Sequence, residues 1–480
     1  MSAPDSSWWS DAVVYQIYPR SFQDSDGDGV GDLRGIMSRL DHLSWLGVDA
    51  LWLSPIYPSP LADMGYDVAD YTAVAPEYGT LADLDELVAR AHDRGLRVLL
   101  DLVPSHTSIE HPWFGERPDW YVWSADGPAN NWVASFGGPA WTRDERSGRW
   151  YLHSFYPEQP DLNWRNPEVR REFGRIVRFW TDRGIDGFRV DAIDRLMKDV
   201  GLRDDPPASD EFPFPAPAEY TALDHVHSVN DPEIGLALAA LREAAGDRML
   251  VGEVYLRADQ LGPYLEHLDL VFAFELPHGA FEVGRLREVI VSASATGQAA
   301  WVLSNHDFPR VATRVGPDRA ALAAMLLLTL PGAAFIYQGD EIGMLDGAGA
   351  APPLDRAGRD PHRHPMQWEP AENGGFTTGA PWLPLTDPMV RSVAAQRGSV
   401  GSMLEFHREL IALRRNLAGP VEMLDAEPGV LAYRRGEHVV ALNLGEVPAA
   451  PPVAGDELLA TQPGSGSGSL PGRSGVVLRA

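Results

Sequence analysis

Short apolar runs alternate with longer amphipathic ones along most of this chain, the pattern of β-strands followed by helices that builds a parallel sheet. Ala12 to Tyr18 reads as a first strand, and Leu33 to Leu46 as one helix with Leu33, Ile36, Leu40, Leu43 and Leu46 at helical spacing. Ala50 to Leu53 is a second strand. Thr80 is placed to cap a helix that runs to Arg94 and stops at Gly95, and Arg97 to Val103 is a third strand. The rhythm breaks from Pro104 to Asn166, a stretch rich in Trp, Gly, Pro and Asn that is too long for an ordinary loop. It resumes with Pro167 opening an amphipathic helix to Arg183 (Val169, Phe173, Ile176, Val177, Trp180). Strands follow at Gly187 to Val190, Met249 to Gly252, Leu270 to Phe274, Ala299 to Leu303 and Phe335 to Tyr337, which brings the total to eight.

Eight strands interleaved with helices predict an α/β fold, a (β/α)8 TIM barrel. Residues 1–104 and 167–417 form the barrel, residues 105–166 a small domain inserted after strand three, and residues 418–480 a C-terminal antiparallel β domain. The last part is read from short β-like runs, Val430 to Tyr433 and Val439 to Leu444, with the tract Gly464 to Ser469 as a flexible loop between its final strands. A long irregular stretch with Arg359, Arg363 and Pro365 to Trp368 precedes a helix from Met403 to Arg415, and is expected to line the barrel face. Ala320 to Leu330 is the most apolar run. It is too short to span a bilayer and is ended by Pro331 and Gly332, so it is expected to be a buried helix.

Composition narrows the chemistry. A formal net charge of −28 over 480 residues argues against nucleic acid or an anionic membrane as partner, since both need a basic patch, and favours a small neutral substrate. The sequence has no cysteine, which removes disulfides, thiol nucleophiles and thiolate metal sites. With no basic and apolar leader pattern in Met1 to Ser10, a cytoplasmic protein is expected.

Within Gly187-Phe188-Arg189-Val190-Asp191 a guanidinium and a carboxylate lie two residues apart. In a strand they share one face, where the cation would lower the pKa of the acid. Alone, the pair fits a structural ion pair in the core as well as a catalytic one. Asp101 and His106 around the end of strand three, Glu253 after strand five, and Asn305-His306-Asp307 after strand seven add further polar groups at strand ends. In a barrel all of these ring one mouth. Facing carboxylates with no serine or cysteine nucleophile point to acid/base chemistry on a neutral polar substrate, glycoside cleavage foremost. Among the aromatics, Tyr66 and Phe155 are expected near the sugar.

Asp101-Leu-Val-Pro-Ser-His106, Gly187 to Asp191, Gly252-Glu253 and Ser304-Asn-His-Asp307 resemble the four ordered blocks of glycoside hydrolase family 13, the α-amylase family. Gln159-Pro-Asp-Leu-Asn163 resembles the further block of its oligo-1,6-glucosidase and α-glucosidase branch. The resemblance implies Asp191 as nucleophile, Glu253 as acid and then base, and Asp307 as the stabiliser of the oxocarbenium-like transition state. It implies that His106 and His306 bind sugar hydroxyls, that Arg189 keeps Asp191 ionised, and that Asp67 with Arg363 recognises the non-reducing end. The retaining chemistry of the family calls for one depressed and one raised carboxyl pKa, the second supplied by burial of Glu253. The expected activity is exo-acting hydrolysis of short α-glucosides. Ala192, a small residue after the nucleophile, resembles the α-1,4-preferring members, whereas Val accompanies α-1,6 preference. A transglucosylase or glucoside isomerase, handing the glucose to a sugar or other alcohol, uses the same intermediate. A non-catalytic relative such as a transporter heavy chain is disfavoured by the presence of all three acids.

Three departures and additions complete the expectations. Ser105 stands where the first block usually has Asn, which argues against a calcium between barrel and insert. His364 follows Arg363 where relatives commonly have Thr, and the loop Gly347 to Gly358 is short. Asp24, Asp26, Asp28 and Gly29 match the first half of an EF-hand loop, but Gly35 occupies the place of its bidentate Glu. The loop resembles the calcium site of the oligo-1,6-glucosidase branch, with Asp24, Asp26, Asp28, the Val30 carbonyl and Asp32 as ligands to a structural Ca²⁺, Mg²⁺ being the alternative.

Overall fold

The computed structural model describes residues 7–462, 464–465 and 468–480. Part of the stretch Met1 to Ser10 and part of the Gly464 to Ser469 tract lie outside the described residues. Eight parallel strands close into a barrel: β1 (Val13–Ile17), β2 (Ala50–Leu53), β3 (Arg97–Leu102), β7 (Gly187–Val190), β8 (Met249–Gly252), β9 (Leu270–Phe272), β10 (Ala299–Val302) and β11 (Ala333–Tyr337). Each of the eight expected strands is present. Three short strands, β4 (Trp123–Ser124), β5 (Trp141–Arg143) and β6 (Trp150–Leu152), form an antiparallel sheet inside the stretch that interrupts the βα rhythm.

Parity along the strands decides what fills the barrel. Val14, Trp52, Leu99, Val251, Phe272, Val302 and Phe335 pack together in its interior, while the alternate residues face the helices. Asp101 stands in register with Arg189 on the neighbouring strand, so the two side chains meet inside, above the apolar layers. The helices obey their end signals. Thr80 forms a capping box with Asp83 at the start of Leu81–His92, and Asn166 caps Pro167–Thr181.

One expected helix is divided. Leu33–Ser38 and Leu40–Leu46 are separate, broken at Arg39. Arg39 leaves helical geometry (φ −108°, ψ 3°) while its guanidinium donates to Gln23 Oε1 at 2.7 Å and lies over the Trp368 ring. A tertiary contact thus outweighs the continuous apolar spacing.

The C-terminal sheet has the order β12 (Glu422–Met423), β13 (Val430–Arg435), β14 (His438–Asn443), β16 (Ser474–Arg479), β15 (Asp456–Ala460), all antiparallel. It explains the helix Ala320–Thr329, which is apolar nearly all round. The barrel covers one side, and the sheet covers the other through Thr329, whose hydroxyl meets that of Tyr433 at 2.6 Å. Among the described residues no helix is long and apolar enough to cross a membrane.

Arg435 fastens sheet to barrel. Buried, it donates to the carbonyls of Thr329 (3.0 Å), Gly419 (3.1 Å) and Leu417 (3.4 Å). Arg435→Met would leave three carbonyls without donors, a loss of about 3 kcal/mol. The variant should melt earlier, and its C-terminal sheet should lose amide hydrogen-exchange protection ahead of the barrel; a sheet that stays protected with the barrel would contradict this role.

Candidate active site

The strand ends deliver their polar groups to one mouth. Backbone bonds from Asp191 to Leu102 and from Glu253 to Val190 carry the parallel ladder one residue beyond the strands, which sets these carboxylates side by side. Arg189 lies among them and is 1% exposed. Its Nη1 donates to Asp101 Oδ1 and to Asp191 Oδ1, both at 2.7 Å, and its Nη2 meets Glu253 Oε2 at 2.6 Å. Glu253 Oε2 also accepts the Ala192 N–H at 3.1 Å. Ala192 holds φ 43° and ψ 42°, the left-handed region that a β-branched side chain tolerates poorly.

One guanidinium therefore faces three carboxylates, and this corrects the expectation that Arg189 would hold Asp191 low. Burial pushes Asp191 well above the ordinary carboxylate range. Arg189 opposes the shift, but Glu253 and Asp101 reinforce it. Burial likewise pushes Asp101 up, to about 6, against the pull of Arg189. Three acids around one cation cannot all ionise cheaply, which is why Asp191 and Asp101 are both raised despite their bonds to Arg189.

Asp307 stands under the opposite influence. Burial alone would raise it, but His306, Arg359 and Arg363 hold it well below the usual carboxylate range. Its Oδ1 takes Arg359 Nη1 at 2.8 Å and Arg363 Nη2 at 3.2 Å, and its Oδ2 lies 3.2 Å from His306 Nε2. His306 is buried and kept neutral, its ring set by Gln16 on Nδ1 (2.8 Å) and the Tyr66 hydroxyl on Nε2 (2.6 Å). Tyr66 also donates to Asp101 Oδ2 at 3.0 Å. His106, depressed by burial, contacts Gln159 Nε2 at 2.9 Å, and the Phe155 ring lies edge-on to it at 5.2 Å.

The expected partnership of Asp67 with Arg363 does not form. Asp67 is fully buried and accepts from Ser59 Oγ and from the N–H groups of Ala62 and Asp63, holding the turn that carries Asp63. Arg363 is also fully buried, donating to the His306 carbonyl behind the site. The acid and arginine that do meet are Asp63 and Arg359, which are directly bonded, with Gln159 on the other Asp63 oxygen at 3.0 Å. Arg359 also reaches Asp307 and Asp355, so it links the long irregular loop to the catalytic mouth. Asp63 lies four residues before Asp67, and Arg359 four before Arg363. Asp67 and Arg363 came from the family resemblance, and a loop has no periodicity that could single out Asp63 and Arg359 instead.

The metal-loop residues are brought together in part. Carboxylate oxygens of Asp24, Asp26 and Asp28 lie within 4.8 Å of one another. Asp32 caps the helix after the loop, accepting from Gly35 N and Ser25, and the Val30 N–H donates to Asp28. The loop clasps residues 376–382. A Cβ on Gly29, which has φ +94°, would meet the Ala380 carbonyl at 2.0 Å, so only glycine fits. Three hard oxygen donors around one point suit a divalent cation of the Ca²⁺ or Mg²⁺ kind.

Residues 16–419 match the family described as alpha amylase, catalytic domain, and residues 417–477 a domain of unknown function. The protein is thus a glycoside hydrolase. It is similar to a probable alpha-glucosidase of Rhizobium meliloti (strain 1021), 40% identical over 90% of this chain and 88% of the relative. It is also similar to an oligo-1,6-glucosidase of Halalkalibacterium halodurans, 38% identical over 90% of this chain and 88% of the relative. A solved alpha-glucosyl transfer enzyme, XgtA, superposes with a TM-score of 0.92 at 38% identity, covering 98% of this chain and 99% of that one. The chain belongs to the α-amylase family, glycoside hydrolase family 13, in its oligo-1,6-glucosidase and α-glucosidase branch.

Asp161, from the quoted block Gln159 to Asn163, anchors the inserted segment beside the mouth. Its Oδ2 meets Lys198 Nζ at 3.0 Å, and Ser154 bonds both groups. Burial raises Asp161, but Lys198 and Ser154 hold it below the ordinary value. Its stabilisation is therefore complete above the unfolded carboxylate pKa and is lost as pH falls through the lower folded value. Lys198→Met should cost about 3–5 kcal/mol at neutral pH by leaving a buried carboxylate uncompensated. Without Lys198, burial raises Asp161, so in the variant it protonates and the deficit shrinks as the pH is lowered towards the ordinary carboxylate pKa; a pH-independent difference in melting temperature between variant and wild type would refute the assignment.

Proposed function

We propose that the protein is a retaining, exo-acting α-glucosidase that hydrolyses short α-glucosides, α-1,4 in preference to α-1,6, through a covalent β-glucosyl-enzyme. The observation that carries the reading is the shared grip of Arg189 on Asp191 and Glu253, with Asp307 ionised nearby. Two carboxylates on neighbouring nitrogens of one guanidinium are close enough to suit the retaining geometry, in which the pair stands about 5–5.5 Å apart, without room for a water between.

In the first step an Asp191 oxygen bonds to C1 of the glucose as the C1–O bond to the aglycone breaks, and Glu253 gives its proton to the departing oxygen. In the second, Glu253 takes a proton from water, whose oxygen displaces Asp191 from C1. The roles require Glu253 to carry a proton as the first step begins and to be without it as the second begins. Asp307, held ionised by two arginines and His306, would accept hydroxyl hydrogens of the sugar and favour positive charge at C1. His106, His306, Tyr66 and Phe155 would surround the same glucose. The Asp63–Arg359 pair would close the outer rim, which favours a chain end over a chain interior, and take the role expected of Asp67 and Arg363. Ala192 supports the α-1,4 preference only through the family resemblance.

Transfer to a sugar or other alcohol is the second reading, supported by the likeness to XgtA, since water and acceptor compete for one intermediate. The loop of Asp24, Asp26, Asp28, Val30 and Asp32 would hold Ca²⁺ or Mg²⁺ as a structural ion joining residues 376–382 to the first βα loop, with no part in the reaction. A cytoplasmic setting, which the cysteine-free sequence suits, completes the proposal.

Asp191→Asn should lower kcat/KM by about four orders of magnitude or more with an unchanged melting temperature; wild-type-like turnover would dismiss the nucleophile. NMR of the earliest product should show α-glucose, and β-glucose appearing first would exclude retention. Product analysis on maltose, isomaltose, sucrose and trehalose at high concentration decides linkage and the share of transfer. EDTA should lower the melting temperature by several degrees, restored by Ca²⁺ or Mg²⁺, and indifference to both would remove the metal.

A further inference from the structure

The two oxygens of Glu253 are unequally engaged. Oε2 is occupied by Arg189 Nη2 and by the Ala192 N–H. Oε1 is therefore the oxygen left to exchange a proton, and the group bonded to it is the Tyr255 hydroxyl, at 3.1 Å. Tyr255 is itself held from several sides. Its ring stacks on Phe274 (centroids 4.9 Å apart) and meets the edge of Phe214 (5.3 Å), and its N–H donates to Asp194 Oδ2 at 3.3 Å. The half-buried ring also forms part of the wall of a cavity of about 310 Å³, lined in addition by Arg195, Phe212 and Tyr220.

We propose that Tyr255 is the positioning residue of the acid/base: its hydroxyl holds Glu253 Oε1, the oxygen that gives a proton to the leaving group and takes one from the incoming water or alcohol. This rests on the reading of Glu253 as acid/base. Burial and the neighbouring Glu253 keep the phenol protonated far above neutrality, so it acts as a donor throughout the working range. A hydrogen bond donated to the ionised carboxylate favours that form, which poises Glu253 to serve as base as well as acid. No atom is transferred to or from Tyr255 in the cycle. Arg189, Asp191, Asp101 and Asp194 also act on Glu253, and Asp307, Arg189 and His278 face Tyr255. All remain in a Tyr255→Phe variant, so the difference from wild type isolates the hydroxyl.

Tyr255→Phe should keep the ring contacts and the melting temperature. The alkaline limb of kcat/KM, where the acid loses its proton, should move up by about one pH unit. Turnover of 4-nitrophenyl α-glucoside, a substrate whose leaving group needs little protonation, should fall about tenfold because the base that activates water is misplaced and less readily ionised. Tyr255→Leu should show the same limb shift together with a raised KM for maltose, since it also removes the ring from the cavity wall. A Tyr255→Phe limb that coincides with wild type overturns the proposal. Glu253→Ala assayed with azide separates the two levels. Formation of α-glucosyl azide, with C1–N replacing the bond from C1 to Asp191, upholds Glu253 as acid/base, so an unmoved Tyr255→Phe limb would then reject Tyr255 alone. Wild-type activity in Glu253→Ala would overturn both.

Discussion

A single buried guanidinium organises this molecule. Arg189 is the shared counterion of Asp101, Asp191 and Glu253, and none of these acids could be placed so deep in the barrel mouth without it. The balance is incomplete, since one positive charge faces three acids, and with burial it leaves Asp191 and Asp101 above the ordinary carboxylate range. Across the mouth Asp307 meets two arginines, although Arg359 is shared with Asp63 and Asp355. Asp307 has Arg359, Arg363 and His306 around it and is ionised throughout. Asp191 and Asp307 are thus shifted in opposite directions, the first raised by burial and neighbouring acids, the second lowered by the groups around it.

The rest of the chain serves to fix those ratios. The inserted segment is tied down through Asp161 and Lys198, and its Gln159 reaches both His106 and Asp63. The long loop after the last barrel strand returns Arg359 to Asp63 and Asp307. The acidic loop near the start clasps residues 376–382, in the same returning segment. Each of these contacts spans a large separation in sequence, so the geometry of the mouth depends on the whole barrel having closed.

Local patterns carried much of this architecture. Buried parallel strands are continuous apolar runs, and such runs are visible without knowledge of their neighbours, so all eight barrel strands were readable. Thr80 and Asn166 cap helices because capping is a local matter. The blocks around Asp101, Arg189, Glu253 and Asp307 were legible because each is a strand with its polar end. Where the deciding contact was distant, the reading went astray. Leu33 to Leu46 kept its apolar spacing across Arg39, yet Gln23 and Trp368 divide it. The resemblance pointed to Asp67 and Arg363, and loops have no period to say that Asp63 and Arg359 are the side chains that meet.

The sequence by itself determined the order and kind of the elements and the acids at the strand ends, which follow from short-range spacing, and the family through the resemblance of its ordered motif blocks. The tertiary structure alone decided which charges meet. It set three carboxylates against one arginine, placed Asp63 rather than Asp67 beside Arg359, and put the Tyr255 hydroxyl on the free oxygen of Glu253. The physical reason is that burial and through-space Coulomb interactions set protonation, and both depend on distances between segments that only the closed barrel brings together.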